Sequence, residues 1–196
     1  MGLVDDIEAA VADVADALPD AALEMRHGDA LGVVVSSSSM DLNRSTVTPD
    51  APEEKRRCVG KRADFPLLEQ GSLVFLGEQQ SAHIVVSVRV DPVGASVSFG
   101  LSAPLDKMEA AYRRPGTNIR QSMNVLAVES DVIDPVPDGF AATASRAWFV
   151  AFADAEWSHV SEPQIGDELT IRDRTLRASA VARHDGCWIL TCRARR

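Results

Sequence analysis

Aromatic residues are scarce in this chain: among 196 residues there are 6 Phe, 3 Trp and a single Tyr. A surface that stacks the bases of a single strand needs a row of aromatic platforms. The one local crowd, Trp148, Phe149 and Phe152, is better explained as core. Basic charge is also short, with 20 Lys and Arg against 29 Asp and Glu and a formal net charge of −9. That balance argues against the whole surface being a nucleic-acid platform, since phosphate binding needs basic density. Lys55-Arg56-Arg57, Arg113-Arg114 and Arg193–Arg196 read instead as solvated positive points on an acidic protein. Cysteine is rare too: Cys58, Cys187 and Cys192 are odd in number and lack Cys-x-x-Cys spacing, which suits a reducing compartment better than a disulfide framework. No apolar run approaches the ~20 residues a bilayer demands. The acidic N-terminus resembles neither a secretory signal nor a transit peptide, so the expectation is a cytosolic chain.

Signatures of chemistry are missing as well. No G-x-S-x-G elbow, Walker loop, G-x-G-x-x-G fingerprint or H-E-x-x-H motif occurs. His27, His83, His159 and His184 are scattered, and the one close pair, His184 with Cys187, makes no closed metal site. A Cys187 nucleophile is disfavoured because alternation around Trp188 places it in an ordinary strand. Asp5-Asp6 and Glu53-Glu54 are adjacent in sequence and read as solvated acids rather than paired catalytic carboxylates. The expectation is therefore no catalytic residue, no cofactor and no metal.

What is present is pattern. Leu3–Leu18 carries Val4, Ile7, Val11, Val14 and Leu18 at three- and four-residue steps, one apolar stripe of a helix, with Asp5, Asp6 and Glu8 in its first turn and Pro19 as its stop. Strand composition follows at Leu31–Val35, with a polar run at Ser36–Ser39. Arg57–Gly60 is a further short strand. Ser72–Leu76, Ala82–Val90 and Ala95–Phe99 form a meander split by turns at Gly77 and at Asp91-Pro-Val-Gly94. Pro104–Arg114 reads as a second amphipathic helix, with Leu105, Met108 and Tyr112 on one face and Pro115-Gly116 ending it. Strands follow at Ile119–Val128 and Ala147–Phe152. Asn43–Lys55 and Ser130–Phe140 are Pro-rich loops.

The chain closes on a second meander. Leu169–Ile171, Leu176–Val181 and Cys187–Leu190 alternate apolar with polar residues, joined by a tight connection at Asp173-Arg174 and a turn at His184-Asp-Gly186. Gly166-Asp-Glu-Leu-Thr-Ile matches Gly71-Ser-Leu-Val-Phe-Leu, and the elements before each run in the same order. Either the chain is a tandem duplication, with halves 1–100 and 101–196 each a helix followed by a β-barrel-like unit, or similar antiparallel strands have converged. The fold class expected is mainly β with an N-terminal α-helix, in small antiparallel barrels or sandwiches.

The stretch from Gly166-Asp through Gly186-Cys-Trp-Ile-Leu-Thr-Cys-Arg193 resembles the C-terminal pattern of tailed-bacteriophage head–tail joining proteins. The preceding Trp148–Phe152 strand and Pro163-Gln-Ile-Gly-Asp resemble the entry to that pattern. Leu176 stands where the family carries an aromatic, and two such units in one chain depart from its usual single unit. The resemblance implies a virion protein that forms a homo-oligomeric ring at the capsid neck and contacts portal and tail proteins. DNA would pass through its acidic lumen without specific binding. Subunit or partner contacts would then involve the Pro-rich loops, through Pro49, Pro52, Pro135 and Pro137, and the strand bearing Trp148 and Phe149. Two other readings stand beside it: a cytosolic tandem β-barrel module capturing a peptide or polysaccharide on a sheet edge, and an enzyme whose site lacks a motif.

Overall fold

The computed structural model describes residues 22–38, 51–134, 143–159 and 161–194, with the isolated positions Ala9 and Asp13. The helix expected over Leu3–Leu18 lies outside the described residues. Within them the protein is mainly β, and it divides into two compact units that meet in sequence between Pro104 and Leu105.

In the first unit β1 (Ala22–His27), β2 (Ala30–Ser38), β3 (Arg56–Lys61), β4 (Leu73–Leu76), β5 (Ser81–Val90) and β6 (Ser96–Leu101) close into an antiparallel barrel of order β1-β2-β3-β6-β5-β4. In the second, β7 (Asp106–Arg113), β8 (Arg120–Asp134), β9 (Thr143–Ala153), β10 (Glu168–Ile171), β11 (Arg174–His184) and β12 (Cys187–Ala194) close in the same order, β7-β8-β9-β12-β11-β10. Alternation is the cause. Each strand turns every second residue inward, and a ring of six strands satisfies every ladder without leaving an edge.

The likeness extends to register. Arg26 faces Phe75 across β1–β4, and Ala111 faces Thr170 across β7–β10. The ladder β5–β6 shifts between Val85 and Ser87, and β11–β12 shifts between Ala178 and Ala180. These bulges sit at equivalent positions: Gly71 N–H donates to Val85 O and Gly166 N–H to Ala178 O, both at 2.8 Å. After β3 and β9 a 3-10 turn carries the chain onward, through Arg62–Asp64 and Asp154–Glu156 respectively. Phe65 beyond the first turn is fully buried in the core, and Trp157 beyond the second packs against its core. One architecture is thus laid down twice.

Cores differ by compensation. The cross-strand pair Met25–Gly32 of the first barrel corresponds to Ala110–Met123 of the second, large with small exchanged for small with large. Gly32 is small for a reason: a Cβ there would lie 2.7 Å from Phe65 Cζ and 2.8 Å from Asp64 Cβ.

Three sequence expectations are corrected. Pro104–Arg114 is no helix; it supplies β7, in which Ala110 and Tyr112 point inward while Lys107, Glu109, Ala111 and Arg113 are exposed. Leu105, Met108 and Tyr112 fit a helical step, but Met108, Ala110 and Tyr112 fit a two-residue step, and eight residues are too few for periodicity to separate them. Ala22–His27, where the sequence reading placed no strand, is β1. The loop expected from Ser130 begins later, because β8 continues to Asp134.

Candidate functional site

The densest polar cluster of the second barrel is built on the Gly166-Asp167 pair that opens β10. Gly166 has φ +96°, a backbone state that a side chain disfavours. It turns the chain so that Asp167 enters the barrel mouth, 2% exposed. There Asp167 Oδ1 accepts from Arg114 Nε at 3.0 Å. Its Oδ2 accepts from the other arm of that guanidinium at 3.0 Å, from Gln164 N–H at 2.7 Å and from the Tyr112 hydroxyl. Arg114 also donates to Ser161 Oγ at 3.0 Å and to the Glu162 carbonyl at 2.6 Å. The Trp157 ring stands edge-on to Tyr112, centroids 4.6 Å apart.

Electrostatics follow from this packing. Burial, and then the hydrogen bond to Asp167, push the Tyr112 phenol well above its ordinary value. The bond to Asp167 likewise holds Arg114 more firmly protonated. Every oxygen of the carboxylate is occupied, so the cluster is a bolt that fixes the 161–167 segment to the end of β7. It has no spare group with which to move a proton. The first barrel repeats the backbone part of this bolt with a weaker side chain. Glu69 N–H donates to Ser72 Oγ at 3.3 Å and Ser72 N–H returns to Glu69 O at 3.1 Å, matching Gln164 and Asp167.

The first barrel has its own buried acid, Glu54. Its Oε1 pairs with Arg57 at 2.8 Å, and its Oε2 accepts from the Ser87 hydroxyl at 3.0 Å, beside the β5 bulge. Glu54 is 7% exposed, contrary to the expectation of a solvated acid, whereas Glu53 is exposed. His83 is 4% exposed, and its Nδ1 lies 2.9 Å from Ser102 O, which fixes that nitrogen as the donor. Burial lowers its pKa, which favours the neutral ring.

None of the cysteines has the setting of a nucleophile. Burial raises Cys58 to about 11 and Cys192 to about 12, and Cys187 is also pushed up by burial. His184 and Cys187 face each other across the β11–β12 turn. Among the described residues no group of three or more His, Cys, Asp or Glu is placed to hold a metal ion.

Of the residues proposed from sequence as contacts, Pro52, Trp148 and Phe149 are among the described ones, all three in the second unit. Trp148 is 7% exposed and belongs to the interior cluster of the second barrel. Phe149 alternates with it, points the other way from β9 and is 2% exposed. Pro52 is buried. Pro49, Pro135 and Pro137 lie outside the described residues. The connections that carry the Pro-rich loops are equivalent, β2 to β3 and β8 to β9.

Sequence reading missed Tyr112, Arg114 and Asp167 as a set because 53 residues separate Arg114 from Asp167. A signal existed: Asp immediately after a turn glycine, in a strand otherwise apolar, is a buried carboxylate that must find a cation. The outer faces of the barrels also differ. Across β8, β7 and β10 runs a polar groove lined by Arg113, Arg120, Gln121, Glu168, Thr170 and Thr175, with Arg113 paired to Glu168. The matching face of the first barrel carries Leu31 and Val33, 59% and 50% exposed. No protein-family model and no curated protein matches the chain.

Proposed function

We propose that the chain is a structural protein of a phage neck, without covalent chemistry, assembling as a ring that joins the capsid portal to the tail. One observation carries this reading. The Gly-Asp, alternating-strand and Asp-Gly pattern behind the resemblance to head–tail joining proteins forms β10–β12 of a closed barrel, with Asp167 as its anchor. The Asp167 carboxylate is saturated by hydrogen bonds, and burial pushes all three thiols up. Closure favours this reading over capture of a peptide on a sheet edge, because a closed barrel offers no unpaired strand to extend.

The two equivalent Pro-rich connections reach neighbouring subunits or the channel, and DNA passes without specific binding. The test is mass. Purified protein, alone and mixed with a phage portal ring, is expected to run as a closed oligomer of about six or twelve copies. A chain that stays monomeric in both conditions would overturn the reading.

A further inference from the structure

A row of charge crosses the outer face of the second barrel at one level. Arg120 of β8 faces Arg113 of β7, Arg113 faces Glu168 of β10, and Glu168 faces Arg177 of β11. Counted from the paired positions of the two ladders, the equivalent places in the first barrel hold Asp29, Gly28, Leu73 and Ile84, so the row belongs to the second copy alone. Arg114 N–H donates to Ile119 O at 3.1 Å. The next pair inward, Arg113–Arg120, is therefore non-hydrogen-bonded, the kind whose Cα atoms lie only about 4.5 Å apart. Like charges directly opposite each other repel. Glu168, tied to Arg113, is the one carboxylate among the described residues lining this end of the polar groove. Two guanidinium groups against one carboxylate leave a place for a second. Arg113 is held ready for it, because Tyr112 and Arg114 on either side both bind Asp167.

Beside the row lies a floor of small side chains. Ser122, Ala111, Thr170 and Thr175 face one another in that order across the same four strands and line the groove. Three strand spacings of about 4.8 Å make this floor about 14 Å long, the reach of about four residues of extended chain. We propose that the groove binds an extended acidic segment of a partner protein, with a carboxylate of that segment held between Arg113 and Arg120. The segment lies across the face of the strands and needs no free edge. Charge in the other half of the trough selects this occupant. Beyond Ala111, Ser122 and Thr170 the trough is lined by Lys107, Glu109, Arg172 and Asp173, two cations and two anions. A nucleic-acid strand carries a phosphate at every step and would meet Glu109 and Asp173 there. A peptide with its acidic side chains at the arginine end avoids them. On a chain of net charge −9 the two arginines also fix where such a partner lands, since the rest of the surface repels it.

Fluorescence anisotropy of a labelled pentapeptide of alternating Glu and Ser, titrated with the full chain, tests this. Saturable one-to-one binding is expected at about 50 mM salt, and the same peptide with Gln for Glu should bind about tenfold more weakly or worse. Arg120→Gln, which leaves the Arg113–Glu168 pair intact, should weaken binding by about the same factor. Arg120→Glu, which sets a carboxylate of the chain itself beside Arg113, should abolish it. Arg89→Gln on the first barrel, the same loss of charge elsewhere, should change nothing. Filling the floor without altering charge, through Ala111→Phe or Ser122→Tyr, should also cost about tenfold. Both positions are exposed, and an unchanged far-UV circular dichroism spectrum verifies the fold. No binding at that salt, an oligothymidylate of equal charge bound as tightly as the peptide, or binding indifferent to Arg120 or to the floor would each overturn the inference. Peptide binding is read on a single chain, so its result stands apart from that of the ring-mass measurement.

Discussion

Replacing Asp167 by Ala would leave the Arg114 guanidinium facing the Tyr112 hydroxyl with its main counter-charge gone. Asp167 and Arg114 side chains are 3% and 11% exposed, so solvent compensates little. The expected cost is about 3–5 kcal/mol, read as a lower urea midpoint with exchange rising in the amides of β7 and β10. Tyr112→Phe, which removes one of several donors to the same carboxylate, should cost less, about 1–2 kcal/mol. The thiols give a pH dependence. Cys58 and Cys192 ionise near 11 and 12 in the folded chain against an ordinary 9.0. Folding therefore favours their protonated form. Their contribution is full below about pH 9 and is lost as pH rises toward the folded values. Stability should fall between pH 9 and 11 in urea titrations, and Cys58→Ala with Cys192→Ala should flatten that slope. At pH 8 a thiol reagent should modify half-buried Cys187 well before the other two.

Elements were legible in the sequence where alternation was long and turns were marked. Both meanders could be read because Asp91-Pro-Val-Gly94 and Asp185-Gly186 supply turn residues, the latter pair with φ +49° and +74°. The connection assigned to Asp173-Arg174 is one residue earlier, at Arg172-Asp173, both with positive φ. β7 was illegible because Ala110 and Ala111 suit either period, and what settles it is the pairing with β8 and β10. β1 was hidden for a similar reason, being short and holding Glu24 and Arg26 on its outer face. The Asp167 cluster needed barrel closure to bring Arg114 across, which no local pattern encodes. Gly32 offers a test at this scale. Gly32→Ala would force its methyl against the Phe65 ring, and overpacking of that kind costs about 1–3 kcal/mol. The loss should show as a lower thermal midpoint, together with faster exchange around Arg62–Leu68.

For the whole molecule the net charge of −9 sets the sign of its dealings with DNA. A chain of this charge should show no retention of duplex DNA even at about 50 mM salt, where counterion release most favours association. Salt-sensitive DNA retention would argue for a basic surface that the proposed acidic lumen lacks. The same acidity should keep isolated subunits apart at low ionic strength, so oligomer formation should strengthen as salt is added. Size-exclusion mass measurement across a salt series reads this directly.

Ring closure within each barrel is uneven. β1 and β4 meet over two residue pairs and β7 and β10 over three, whereas β8 and β9 run together over nine. Under load, such a hoop parts where its overlap is least. Pulled across its girth, the first barrel should unclasp between Met25–Arg26 and Phe75–Leu76 while its longer ribbons remain zipped. That fastening bears the Arg26 guanidinium stacked 4.8 Å from the centre of the Phe75 ring, like a rivet over the seam.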